Sequence, residues 1–254
     1  MLLHSKIIGA GKPFLILHGF LGMGDNWNTL GLKFSKQHYQ VHLIDQRNHG
    51  RSFHDKHFNY DVLVEDLKYY CDYYQFKEVI LLGHSMGGKA AMLFATVYDY
   101  LVQKLIVVDI APRFYPIHHD AILKGLSFLN FKKITSRKEA DKQLQQYVFD
   151  SGTRLFLLKN LYWYEKGKLG LRINLEVLAK NVHEVGEPLP LSNNFIGKTL
   201  FLKGELSEYI SMDDESIIEQ HFPDSHLKII QNAGHWLHAE NPMDFYNSVV
   251  DFIT

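Results

Sequence analysis

The chain has 254 residues, 46% of them hydrophobic, with 27 basic and 28 acidic side chains and a net charge of -1. That length suits one domain, or a core domain carrying an insertion, and the balanced charge gives no electrostatic reason to expect nucleic acid or an anionic membrane as partner. A single cysteine, Cys71, excludes an internal disulfide, and its place in an apolar-patterned stretch reads as a buried, inert thiol.

The opening Met1-Leu2-Leu3-His4-Ser5-Lys6 lacks the charged region and long apolar run of a secretory signal. No apolar run approaches the length of a membrane span, so a soluble cytoplasmic protein is the expectation. Phe14-Leu15-Ile16-Leu17 reads as a buried strand ending at His18-Gly19, and Val41-His42-Leu43-Ile44 as the next, ending at Asp45. Residues 60–76 carry Val64, Leu67, Cys71 and Tyr74 at helical spacing. A strand at 79–82 then runs straight into Gly83-His84-Ser85-Met86-Gly87. Residues 86–99 predict a helix whose first turns hold Gly87, Gly88, Ala90 and Ala91, a face small enough to press against a sheet. Leu105-Ile106-Val107-Val108 forms another strand, ending at Asp109.

The rhythm changes after Pro112. Residues 114–194 hold aromatic and apolar groups in helical spacing, among them Phe128, Phe131, Tyr147 and Trp163, without strand–helix alternation. This stretch reads as a helical cap inserted into the core, with Gly186, Pro188 and Pro190 marking its exit. The core resumes with a strand at 198–203, a helix around 213–221, a strand at 226–231 and a final helix near 239–253. Short apolar runs alternating with helical patterns predict an α/β core with a largely parallel sheet, spanning 1–113 and 195–254.

Gly83-His84-Ser85-Met86-Gly87 has the G-x-S-x-G pattern of a nucleophile elbow, which seats a serine on a sharp strand-to-helix turn. Flanking glycines suit a turn too tight for side chains. The pattern is short, so its context decides. A serine nucleophile needs a base, an acid to orient the base, and backbone donors for the oxyanion. In this type of site the chain order is serine, acid, histidine. His235, in Gly234-His235-Trp236 after the last predicted strand, is the candidate base.

Two acids compete. Asp109 ends the strand after the elbow helix. Glu205 follows Gly204 in the loop where such folds more often place the acid, and Ser207 stands where an aspartate would usually sit. Asp109 is favoured. The expected oxyanion donors are the N–H of Met86, directly after Ser85, and that of Phe20 in His18-Gly19-Phe20-Leu21-Gly22. His84 is expected to point away from the reaction, and His118-His119 lacks a metal-ligand pattern. The polar loop Asp45–Ser52 reads as structural, braced by an Asp45–Arg47 pair.

These motifs together resemble the α/β-hydrolases, and most closely the YbfF-type acyl esterases. The resemblance runs through His18–Gly22 with Asn26-Trp27, Asp45–Ser52, Gly83–Gly88, Asp109-Ile110-Ala111-Pro112 and Gly234–Glu240. It implies a mostly parallel eight-stranded sheet flanked by helices, a small helical cap and a Ser85–Asp109–His235 triad. It further implies hydrolysis of acyl esters or thioesters with no cofactor; the expected substrates carry short to medium acyl chains, and the chain is expected to act as a monomer or homodimer with no metal, nucleic acid or membrane. The same elements leave open a carbon–carbon bond hydrolase or elimination enzyme, or a slow-turnover ligand-binding protein on the same fold.

Overall fold

Seven strands form one sheet in a computed structural model that describes residues 1–254. The elements of the first half are β1 (Ser5–Ile8), β2 (Lys12–Leu17), α1 (Asn28–Ser35), β3 (Tyr39–Ile44), α2 (Tyr60–Tyr73), β4 (Val79–His84), α3 (Met86–Val97) and β5 (Val102–Val108). There follow α4 (Asp120–Phe128), α5 (Arg137–Leu144), α6 (Ser151–Leu158), β6 (Leu161–Glu165), β7 (Lys168–Leu171) and α7 (Leu175–Lys180). The chain closes with β8 (Thr199–Gly204), α8 (Glu215–His221), β9 (Ser225–Ile230), α9 (Leu237–Glu240) and α10 (Pro242–Ile253).

The main sheet runs β1-β3-β2-β4-β5-β8-β9, with β1 antiparallel to β3 and every other pairing parallel. Parallel strands covered on both faces need apolar residues in succession, and β4 is buried along its whole length. One apolar cluster packs α2, α3 and parts of the 114–194 stretch on one face, while the other joins α1 and α10 through Trp27, Phe34 and Phe245. Asn59 caps α2 by accepting from the Val62 N–H, and Asn241 caps α10 ahead of Pro242.

The α/β-hydrolase expectation holds with one correction: the sheet has seven strands, not eight. Residues 1–4 ahead of β1 form no strand, so antiparallel β1 is itself the edge. A second difference lies in the stretch read as purely helical, which contains the β6–β7 hairpin. Tyr162-Trp163-Tyr164 is rich in β-formers, and Gly167, at φ +80°, supplies the turn. The spacing of these aromatic rings also fits a helix, which hides the hairpin in the sequence.

The 114–194 stretch leaves and rejoins the core at one point. The Tyr115 N–H donates to the Gly186 carbonyl at 2.9 Å, and the Leu189 N–H to that of Pro112 at 2.8 Å. Lys89, fully buried on α3, donates from Nζ to the carbonyls of Arg113 (2.6 Å), Glu187 (2.5 Å) and Gly186 (3.4 Å). Burial, with the neighbouring Arg113 guanidinium, pushes its ammonium down to about 7.

Candidate active site

The sheet delivers the candidate residues from the carboxyl ends of its strands, where the loops of such sheets gather. Ser85 sits between β4 and α3 at φ 54° and ψ -119°, a strained conformation for a residue with a side chain. Its backbone N–H is held by the Val108 carbonyl at 2.9 Å. The turn is crowded enough to require its glycines. A Cβ on Gly83 would lie 2.1 Å from the Gly87 carbonyl oxygen, and one on Gly87 would lie 2.5 Å from that of His18.

Asp109, one residue beyond β5, also has positive φ, at 53°, and is fully buried. Its Oδ2 accepts from Nδ1 of His235 at 2.8 Å. The Ser207 hydroxyl donates to the same oxygen, and the Gly204 N–H donates to Oδ1 at 3.0 Å. Three donors thus surround a carboxylate that no water reaches, which offsets the cost of burying its charge. Glu205 is exposed and accepts from the Asn232 N–H at 2.8 Å, brace for the loop that carries His235 rather than contact with its ring.

His235 is oriented from two sides. Asp109 takes Nδ1, while the Tyr209 ring stacks on the imidazole at a centroid distance of 3.9 Å and an angle of 17°. With Nδ1 engaged, Nε2 is the nitrogen left for proton transfer. Ser85 and His235 line one cleft of about 240 Å³, with Phe20, Leu21, Phe156 and Trp236 among its apolar walls. No hydrogen bond joins Ser85 to His235 here; such contacts often tighten only when substrate is bound.

The loop after β2 carries the other expected donor. The Leu21 N–H donates to Nε2 of His49 at 3.2 Å and the Gly22 N–H to the Gly19 carbonyl at 3.0 Å, whereas the Phe20 N–H has no partner in the chain. Met86 is the first residue of α3, where N–H groups have no intrahelical acceptor. Neutral histidines hold this loop. His18 donates from Nδ1 to the Gly19 carbonyl and accepts the Gln46 N–H at Nε2. Burial drives its pKa down to about 4, and that of His49 to about 3, so both stay uncharged and keep an acceptor nitrogen at neutral pH.

Other expected residues take supporting places. His84 is buried, with Nε2 bonded to the His235 carbonyl at 2.8 Å. His118 stacks on His119 at 4.3 Å and bonds the Tyr209 hydroxyl through Nε2 at 2.6 Å. The expected Asp45–Arg47 pair does not form. Asp45 accepts from the Gly24 and Arg51 N–H groups at 2.7 and 2.9 Å, and Arg47 instead grips Asp66 with two bonds of 2.5 and 2.8 Å. The parallel register of β2 and β3 sends Asp45 toward the turn after β2, while Asp66 on α2 faces the loop from the other side.

Sequence reasoning missed two contributors. Tyr209 had no signal, since its stacking depends on how the loop after β8 folds back. Lys89 had one: a single charged residue within a helix that is apolar on every face.

This strand order, with a serine turned out sharply between β4 and α3, defines an α/β-hydrolase. The chain belongs to that family: residues 12–149 match the model of the alpha/beta hydrolase fold. It is 34% identical over 252 residues to the sn-1-specific diacylglycerol lipase ABHD11 of Danio rerio, covering 96% of this chain and 79% of that protein. It is 32% identical to the esterase YbfF of Escherichia coli K12, covering 91% of this chain and 89% of the relative. The solved structure of a marine microorganism esterase superposes with a TM-score of 0.95 at 38% identity, over 99% of each chain. The protein is accordingly a carboxylic ester hydrolase of the YbfF type.

Proposed function

We propose that Ser85, His235 and Asp109 form the catalytic triad, acting on esters or thioesters with short to medium acyl chains. Nε2 of His235 takes the proton from the Ser85 hydroxyl as Oγ bonds to the acyl carbon. Asp109 holds the imidazole in the tautomer that leaves Nε2 free to accept, and stabilises the imidazolium that results. The N–H groups of Phe20 and Met86 receive the negative charge on the carbonyl oxygen, each worth about 3–4 kcal/mol in the transition state. His235 then returns its proton to the departing alkoxide or thiolate as the acyl carbon–heteroatom bond breaks, leaving an acyl-serine. A water deprotonated by His235 attacks that acyl group, and the proton goes back to Ser85 as the acid leaves.

The observation that carries this reading is the 2.8 Å bond from His235 Nδ1 to a buried Asp109, with Ser85 in the same cleft. The test compares hydrolysis of p-nitrophenyl acetate and butanoate by the wild-type protein and by Ser85→Ala. Repeated turnover by the wild type and a loss of at least about 10³-fold in the variant are expected. Near wild-type turnover in Ser85→Ala would remove Ser85 from the mechanism.

A further inference from the structure

Ser85 stands where two compartments of very different size meet. The first is the cleft of about 240 Å³ already described. The second is a slot of about 20 Å³ that shares Ser85 with the first, walled by Met86, Ile110, Val182, Val185 and Gly186. His118, His119 and Tyr209 line both. His235 and Trp236 line only the wide cleft, whereas Met86, Ile110 and Val185 line only the slot.

An ester has two arms, and the chemistry distinguishes them. The leaving oxygen must reach the imidazole that protonates it, so the alcohol arm belongs on the His235 side. The carbonyl oxygen must face the donors at Phe20 and Met86. The acyl arm is then left with the side of Ser85 away from His235. We infer that the narrow slot receives the acyl group and the wide cleft the alcohol, which makes this enzyme selective for short acyl groups on large, apolar alcohols. The assignment rests on the Ser85–His235 mechanism proposed above.

Size sets the selectivity. A cavity of roughly 10–15 Å³ holds a single water on this scale, so 20 Å³ admits about one or two carbon-sized groups before its walls must move. The wide cleft has Ile122, Phe156, Leu157 and Trp236 for an apolar alcohol. Val182 and Val185 are half-buried, so trimming either enlarges the slot without opening a void in the sheet core. Each methylene that a pocket accepts or refuses is worth about 10-fold or more in kcat/KM.

Two ester series on the intact protein test the assignment. In one the alcohol is p-nitrophenol and the acyl group grows from acetyl to octanoyl. In the other the acyl group is acetyl and the alcohol grows from ethyl through benzyl to naphthyl. For the wild type, kcat/KM should fall at least 10-fold from butanoyl to octanoyl, and should hold or rise as the alcohol grows. Val182→Ala and Val185→Ala should raise the octanoyl-to-acetyl ratio several-fold, and Val185→Leu should lower the butanoyl-to-acetyl ratio. Phe156→Ala should change the alcohol series and leave the acyl ratios alone. Ser85-dependent turnover that prefers octanoyl, or acyl ratios that follow Phe156→Ala instead of the valine variants, would overturn the assignment while sparing the mechanism. Turnover that persists in Ser85→Ala would overturn both.

Discussion

The ends of β5 and β8 lie side by side and treat the same imidazole differently. From β5 comes Asp109, a buried carboxylate bonded to His235. From β8 come Gly204 and Ser207, which touch His235 only through that carboxylate, and Glu205, which reaches the Asn232 N–H. One strand end supplies the charge; the other supplies donors that make the charge tolerable in a dry site, and its loop adds Tyr209 stacked on the ring. In the proposed triad the acid thus follows β5, with β8 beside it. What matters is that one neighbouring strand end offers an anion and the other offers N–H and O–H groups.

The difference can be broken at its strongest point by Asp109→Asn. The amide leaves the ring without its orienting anion and favours the wrong tautomer, so kcat/KM should fall by about 10⁴-fold. A loss below 10-fold in steady-state hydrolysis would mean that the charge comes from elsewhere. Ser207→Ala probes the donor side. It removes a hydrogen bond to a buried carboxylate, worth about 1.5–3 kcal/mol. Activity should fall by roughly 10-fold, and thermal unfolding should show a Tm lower by about 5 °C. Wild-type behaviour on both counts would show that Ser207 is incidental to Asp109. The smallest effect belongs to Glu205→Gln, which retains an acceptor for Asn232 and should leave kcat/KM within about twofold. A loss rivalling that of Asp109→Asn would reverse the roles of the two strand ends.

Much of this was legible in the sequence because the chemistry is local. Gly83–Gly87 encodes a turn whose crowding can be felt from five residues, and Gly234-His235 follows directly on a strand. The choice between Asp109 and Glu205 was not local. Both follow predicted strands, and only the packing of β5 against β8 turns one toward His235 and the other toward the Asn232 loop. Arg47 was misjudged for the same reason. Its partner Asp66 lies on α2, close in space and 19 residues away in the chain. The 114–194 stretch was the least legible, because helical spacing and a short aromatic hairpin give overlapping apolar patterns.

Lys89 gathers the carbonyls of Arg113, Gly186 and Glu187 around one ammonium, one helical turn beyond Ser85. The helices and hairpin of the 114–194 stretch are thereby closed at their base. Its two stems are already closed against each other, so lengthening what lies between them adds little closure entropy, although Asn160 also ties the segment to the Leu21 carbonyl of the loop after β2. Changes of length between those stems therefore fall on only the part of the cleft wall that residues such as His119, Ile122, Phe156 and Leu157 supply.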